Sequence, residues 1–143
     1  MKIKQLSVFL ENRSGRLYEL CELLGRNKIN IKALTIAESP EFGIVRLVVD
    51  KIEKAIELLK ANSFTANITD IVAVEVGDQP GGLAGILKVL NGAGVNIEYM
   101  YGFVEKSKDK ALMVFRFEDP DRAIEVLQKN GFGIVGSKDI AGV

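Results

Sequence analysis

Two stretches of the chain alternate apolar and polar residues, a pattern that predicts half-buried β-strands. The apolar side carries Leu6, Val8 and Leu10 in the first stretch and Val72, Val74 and Val76 in the second. Each stretch leads through a glycine-containing turn into apolar residues at helical spacing. These residues are Leu17, Leu20, Cys21 and Leu24 after the first turn, and Leu83, Ile86, Leu87 and Leu90 after the second. The same strand–turn–helix unit is therefore predicted twice.

Two strands, a second helix and a last strand are predicted after each of these first helices. The strands are expected over 29–37 and 43–49, and again over 95–103 and 110–117. Asp119 and Pro120 are typical of a helix start, and the last strands are expected near 66–69 and 134–140. The order β-α-β-β-α-β predicts an α+β fold of two ferredoxin-like units, each with an antiparallel sheet and helices on one face.

The two units are related by an internal repeat. Asn12-Arg13-Ser14-Gly15-Arg16-Leu17 matches Asp78-Gln79-Pro80-Gly81-Gly82-Leu83 at an offset of 66 residues, and Asn30-Ile31 matches Asn96-Ile97 at the same offset. Ala55-Ile56-Glu57 recurs as Ala123-Ile124-Glu125 at an offset of 68, so the second copy carries two extra residues. We expect them in a lengthened loop at the charged run 106–110. No Gly/Ser linker separates the copies, so we predict domains at 1–69 and 70–143 that pack together.

Residues near the helix ends and strand starts give finer expectations. Asn27-Lys28 and Gly92-Ala93-Gly94 are expected to close the first helix of each copy. Asn30 and Asn96 are candidates for left-handed backbone at these exits, as an alternative to a role in binding. Alternation places Ile97, Tyr99, Tyr101 and Phe103 on one strand face, where they can line a pocket or form packed core or interface.

Composition excludes several kinds of chemistry. The chain has no histidine, which rules out Ser-His-Asp and Cys-His triads and any histidine-ligated metal. Cys21 is the only cysteine, so no disulfide forms within the chain, and we expect it to be a small buried apolar residue. We expect no cofactor and no metal. The first residues lack the apolar run of a signal peptide, and charges interrupt every apolar stretch, so we expect a soluble cytoplasmic protein without a membrane partner.

The repeated turn suggests how a small zwitterion can be held. Glycine permits a tight turn and close backbone approach, and the helix start that follows has unpaired N–H groups that suit a carboxylate. Asp78 can pair with an ammonium group. The alternative is that Ser14 and Asp78 only cap the helices and the glycines only turn the chain.

These motifs resemble the ACT-domain family. Asp78-Gln79-Pro80-Gly81-Gly82-Leu83-Ala84-Gly85-Ile86 followed by Gly94-Val95-Asn96-Ile97 carries most of the likeness, and 12–17 with 30–31 carries a weaker one. The resemblance implies a regulatory pair of domains that binds a small molecule, usually an amino acid, where two such units meet. It places ligand contacts near the first turn and the second strand. The residues at these positions are Asn12, Arg13, Ser14, Gly15, Arg16, Leu17, Asn30, Ile31, Asp78, Gln79, Pro80, Gly81, Gly82, Leu83, Asn96 and Ile97.

Other functions that use this topology are weaker hypotheses. An acylphosphatase-like enzyme would depend on arginine and asparagine, for which Arg13, Arg16, Asn12 and Asn30 are candidates, but no nucleophile has an evident base. RNA recognition needs a basic surface and a Lys/Arg-Gly-aromatic strand motif, whereas the net charge is zero and 110–117 has no glycine. A protein-interaction module without its own ligand stays open. For a sensor without an attached catalytic domain, we expect a homodimer and a separate regulated enzyme as partners, and no nucleic acid.

Overall fold

The structure is a computed structural model that describes residues 1–103 and 110–141. Within this part of the chain, strands and helices follow in the predicted order. They are β1 (Ile3–Glu11), α1 (Arg16–Arg26), β2 (Ile31–Glu38), β3 (Phe42–Val49), α2 (Ile52–Ala61), β4 (Thr65–Gly77), α3 (Gly82–Gly92), β5 (Ile97–Gly102), β6 (Lys110–Phe117), α4 (Pro120–Lys129), β7 (Ile134–Val135) and α5 (Ser137–Ala141). Tandem β-α-β-β-α-β units are confirmed. The lengthened loop predicted at 106–110 lies outside the described residues except for Lys110, which begins β6.

The chain forms two compact units, which we call the first unit (Lys4–Thr69) and the second unit (Asp70 onwards, with Met1–Ile3). In the first unit β3 lies between β2 and β1, antiparallel to both, and β4 is the next neighbour of β1. In the second unit β4 lies between β6 and β7, and β5 pairs with β6, all antiparallel. The domain bounds at 1–69 and 70–143 stay a prediction.

Helices cover one face of the sheet in each unit. In the first unit Leu20 and Leu24 of α1 and Leu59 of α2 are fully buried against strand residues such as Leu6 and Leu47. The corresponding residues of the second unit are Ile86, Leu90, Leu127, Val72 and Phe115. Each unit therefore has a core of its own. The apolar residues predicted at helical spacing, which we call the helical stripes, form the helix side of that core.

Two details of the predicted stripes are wrong. Leu17 is 36 % exposed, whereas Leu23, nearly two turns further along α1, is buried. Cys21 is only partly buried, although burial raises the pKa of its thiol and keeps it protonated. The stripe of α1 is therefore rotated towards Leu23, which leaves Leu17 at the edge of the helix–sheet contact.

The last predicted strand, 134–140, begins where predicted but is much shorter. Only Ile134–Val135 pairs with β4, and Ser137–Ala141 forms the short helix α5. The Asp139 carboxylate accepts the Gly136 amide, and the amides of Asp139 and Ile140 donate to the Gly136 carbonyl. The chain therefore leaves the strand after Val135 and enters α5, in which Ile140 is buried.

The end of the first helix in each unit is held by a cation from the second helix. Lys54 Nζ donates to the carbonyl of Asn27, the C-cap of α1, over 2.7 Å. Arg122 donates in the same way to the carbonyl of Ala93, the C-cap of α3. Helix ends leave carbonyls unpaired and carry partial negative charge, so a cation there is stabilising.

We expect Lys54→Ala and Arg122→Ala each to lower the free energy of unfolding by about 0.3–1 kcal/mol, because each removes one such contact. Urea denaturation measures the change. Glu57→Ala on the exposed face of α2 is the control, since it removes a charged side chain from the same helix without touching a cap. Equal losses in Lys54→Ala and Glu57→Ala would contradict the role of the lysine.

Candidate ligand-binding site

The turn between β1 and α1 is built by three short-range backbone hydrogen bonds. The Arg13 amide donates to the Glu11 carbonyl over 2.9 Å, and the Arg16 amide donates to the Arg13 carbonyl over 3.3 Å. The Glu19 amide then donates to the Gly15 carbonyl over 3.0 Å, which begins the helix. Gly15 occupies the N-cap position with φ 88°, in the left-handed region that favours glycine.

The turn between β4 and α3 repeats this pattern. The amides of Gln79, Gly82 and Gly85 donate to the carbonyls of Gly77, Gln79 and Gly81 over 2.9, 3.0 and 3.0 Å. Gly81 is the N-cap with φ 83°. Because glycines fill the N-cap positions, neither Ser14 nor Asp78 is the N-cap residue, and that part of the alternative is wrong. Each turn instead presents backbone N–H groups at a helix start, where an anion is favoured.

The two turns differ at the first residue of the helix. In the second unit Gly82 lies so close to the Gly77 carbonyl oxygen that a β-carbon would clash with it. In the first unit the corresponding residue is Arg16, so that turn is wide enough for a side chain. The second turn is therefore closed tightly on its own backbone, and the first holds a cation at its centre.

Arg16 is fixed by charged and aromatic neighbours. Its Nη1 donates to Glu19 Oε2 over 2.8 Å, and its buried Nε lies 2.9 Å from Glu11 Oε2 in a charge contact without hydrogen-bond alignment. The guanidinium stacks over the ring of Phe64 at 4.4 Å from the ring centre. With a side chain only 16 % exposed, Arg16 is a pre-positioned cation at the turn. Glu11, Glu19 and Phe64 were missed by sequence reasoning. A signal exists for Phe64, because it recurs as Phe132 at the repeat offset of 68 residues.

Asn12 has a structural task that the sequence did not indicate. Its Nδ2 donates to the carbonyls of Ser39 and Pro40 over 3.2 and 3.5 Å, and its backbone amide donates to the Glu41 carbonyl over 3.0 Å. Both donors thus fix the β2–β3 connection to the turn. The side-chain oxygen of Asn12 is an acceptor only, and it lacks the charge of the carboxylate at Asp78.

A cleft of about 110 Å³ lies beside the turn of the first unit. Apolar and charged side chains share its wall, which matches the needs of a small molecule with both kinds of group. The lining residues are Leu10, Glu11, Asn12, Arg13, Arg16, Leu17, Ile36, Glu38, Gly43 and Val45. Of the predicted site residues, the structure thus brings Asn12, Arg13, Arg16 and Leu17 together.

Asn30 and Asn96 do not join the turns; they anchor the strand starts. The Asn30 amide donates to Asp50 Oδ1 over 2.9 Å, and its carbonyl accepts the Asp50 amide. Asn96 pairs with Glu118 through its Nδ2 and its carbonyl. Their backbone is not left-handed, so that alternative is wrong: the left-handed residues at the helix exits are Lys28 (φ 61°) and Gly94 (φ 70°).

A β-bulge follows each of these asparagines. The register of β2 shifts between Ile31 and Ala33, and that of β5 shifts between Ile97 and Tyr99. As a result Ile97 lies opposite Phe117 on the helix side, whereas Tyr99 lies opposite Arg116 on the other face. The prediction that Ile97 shares a face with Tyr99 and Tyr101 is therefore wrong, because an extra residue reverses the alternation.

The turn and the strand start lie at opposite ends of the sheet within each unit. Glu11 pairs with Phe42 at the beginning of β3, and Ile31 pairs with Val49 at its end. Seven residues of rise at about 3.4 Å each separate them by roughly 24 Å. In the second unit Gly77 pairs with Lys110, and Ile97 pairs with Phe117, at the two ends of β6. One unit alone does not bring its own predicted residues into one site.

Residues 1–103 and 110–141 contain no group of three acidic or cysteine side chains placed to hold a metal ion. No helix in the same ranges has the length and apolar character needed to span a membrane.

A family model described as "ACT domain pair" matches residues 1–143. The chain belongs to the ACT domain pair family. Among curated proteins, none matches it. Its ACT units are similar throughout to the crystal structure of protein BT0572 from Bacteroides thetaiotaomicron, with a TM-score of 0.93, 43 % identity, and coverage of 100 % of this chain and 98 % of that one.

Two more distant structures share the fold. The regulatory subunit of aspartate kinase from Thermus thermophilus, in its ligand-free form, matches with a TM-score of 0.64 and 18 % identity, covering 90 % of this chain and 92 % of that one. The corresponding subunit from Thermus flavus matches with a TM-score of 0.59 and 15 % identity, covering 88 % and 90 %. These matches show that the ACT pair shares its fold with both subunits.

Proposed function

We propose that the chain is a cytoplasmic sensor without catalytic activity of its own, which binds a free amino acid where ACT units meet. The observation that carries the proposal is the repeated turn, which presents N–H groups of a helix start at the end of a strand in both units. Such groups suit a carboxylate. Asp78 in one turn supplies a carboxylate for an ammonium group, and the other turn supplies charged side chains of both signs.

A complete site requires residues from two ACT units. The turn and the strand start of one unit lie at opposite ends of its sheet. A site that contains both must therefore combine the turn of one ACT unit with the strand start of another. We propose that the chain forms a homodimer and that ligand-dependent changes pass from it to a separate enzyme. The existence of separate regulatory subunits with this fold supports such an arrangement.

The size of the ligand limits its affinity. A free amino acid has on the order of ten heavy atoms, so micromolar to millimolar binding needs roughly 0.4–0.8 kcal/mol for each atom, which lies within the roughly 0.3–1.5 kcal/mol that small ligands reach. Such affinities suit the sensing of metabolite pools. The first-unit cleft of about 110 Å³ is also smaller than the roughly 300–1,000 Å³ of sites for drug-sized ligands.

We expect one or a few free amino acids at about 10 mM to raise the melting temperature, because a ligand that binds only the folded state stabilises it. At about 100 times the Kd this stabilisation is about 2.7 kcal/mol. A thermal-shift screen of all the standard amino acids, followed by calorimetry, measures it. Ethanolamine and acetate, which each lack one charged end, are the controls. No shift and no heat with any amino acid would overturn the sensor and favour an interaction module without its own ligand.

A further inference from the structure

One end of the first-unit sheet exposes a cluster of apolar side chains on the face opposite the helices. Phe9 is 41 % exposed and Phe42 55 % exposed. Together with Ala37 and Ile44 they line a concavity of about 370 Å³, whose wall also includes Glu38 and Ser39. We call Phe9, Ala37, Phe42 and Ile44 the apolar patch.

Strand pairing explains how the patch is formed. Phe9 lies opposite Ile44, which lies opposite Ala37, so three neighbouring strands present apolar side chains at one level. Phe42 follows at the next level, opposite Glu11. The positions on either side of Phe9 in β1, Val8 and Leu10, are buried in the core. The aromatic ring of Phe9 therefore stands at a position where an alternating strand normally carries a polar residue.

Two carboxylates border the patch at one end, whereas Arg46 of β3 lies on the same sheet face at the other end, opposite Ser7 and Thr35. Glu38 lines the concavity, and Glu41 lies in the connection just before Phe42; both are exposed. In the part of the chain that the structure describes, neither carboxylate forms an ion pair, whereas Glu11 is neutralised by Arg13 and Arg16. Glu38 also lines the cleft that contains Arg13 and Arg16. The patch thus has an acidic border of two carboxylates that form no ion pair among the described residues.

We propose that the apolar patch docks a segment of another protein that places large apolar side chains against Phe9 and Phe42 and lysine or arginine side chains against Glu38 and Glu41. Rim charges steer encounter and select partners, so an acidic border favours a basic one. A second copy of the chain is the other occupant that the test distinguishes, since its patch carries the same acidic border. The proposal goes beyond the sensor function, since docking needs no amino acid.

Selection from a random dodecapeptide library displayed on phage tests this proposal. The full chain is the target, and the Phe42→Ser variant serves for counter-selection. We expect enriched peptides to carry one or two large apolar residues with lysine or arginine nearby, and to bind the unaltered chain at least about tenfold more tightly than Phe42→Ser. Tyr18→Ser is the matched control, because Tyr18 is an aromatic residue 72 % exposed on α1, outside the patch. It should leave peptide binding unchanged.

The double variant Glu38→Lys/Glu41→Lys provides an independent arm that leaves the aromatic residues in place. Selection against it should yield acidic instead of basic flanking residues. Circular dichroism and thermal melting check that each variant is folded; if Phe42→Ser is not, the charge-reversal arm decides. Peptides whose flanking charge does not follow the reversal would overturn the proposal, and so would the absence of any enrichment. A concentration-dependent dimer that is lost in the folded Phe42→Ser variant would assign the patch to a second copy and would also overturn it.

Discussion

Asp78→Asn is expected to weaken amino-acid binding by about ten- to a hundredfold, which makes it the largest single loss of affinity among the turn residues. A hydrogen bond to a charged group contributes about 1.5–3 kcal/mol, and the substitution removes the charge while keeping the shape of the side chain. Isothermal titration with an amino acid identified in the thermal-shift screen measures the change. An unaltered affinity would remove the ammonium-binding role from Asp78.

Asn12→Ala is the comparison in the other copy, and we expect it to affect binding less. Asn12 has no charge, and its Nδ2 is engaged with the β2–β3 connection. Loss of the Asn12 side chain should therefore lower the melting temperature more clearly than it lowers the affinity for the amino acid. Equal losses of affinity in Asn12→Ala and Asp78→Asn would show that both turns contribute alike.

Gly82→Ala is expected to have the largest effect on stability, lowering the free energy of unfolding by about 1–3 kcal/mol, the range for forcing extra volume into a packed site. The new β-carbon would meet the Gly77 carbonyl oxygen, so the turn must open before α3 can begin there. Denaturation by urea or heat measures the loss. Because the same turn is proposed to hold the ligand, binding should weaken as well.

Gly85→Ala is the matched control for Gly82→Ala. Gly85 belongs to the same helix one turn later, and a β-carbon there would meet no atom within 4 Å. Alanine in a helix is more stable than glycine by about 0.5–1 kcal/mol, so this variant should be slightly stabilised. Opposite signs for the two substitutions are therefore expected, and a Gly82→Ala variant as stable as Gly85→Ala would show that the close approach is easily relieved.

The sequence predicts the buried face of a helix or strand correctly where the spacing of its apolar residues stays regular from end to end. The alternation through Leu6, Val8 and Leu10 correctly predicts the buried side of β1, and the repeat correctly predicts the element order. The prediction of which side chains share a face failed at Ile97. A single bulge residue reverses which side chains face the helices, and the alternation of apolar and polar residues gives no sign of that bulge. The prediction of a strand also failed after Val135, where bonds to the Gly136 carbonyl and amide form a helix.

For the candidate site, the sequence predicts which residues lie at the turn, but it does not predict which contacts their side chains make. The turn residues Asn12, Arg13, Arg16 and Leu17 do lie together around one cleft. What each does depends on residues distant in sequence: Asn12 on the carbonyls near Pro40, and Arg16 on the ring of Phe64. Such partners follow from the fold, and a single sequence gives no direct sign of them.

The continuity of β4 has a practical consequence for dissecting the protein. Thr65–Gly77 is one strand of 13 residues, and the boundary between the compact units, at Thr69 and Asp70, falls inside it. A fragment cut there would end in mid-strand, with hydrogen-bonding groups exposed that are paired in the whole chain. Fragments meant to represent one half should therefore share the whole of Thr65–Gly77.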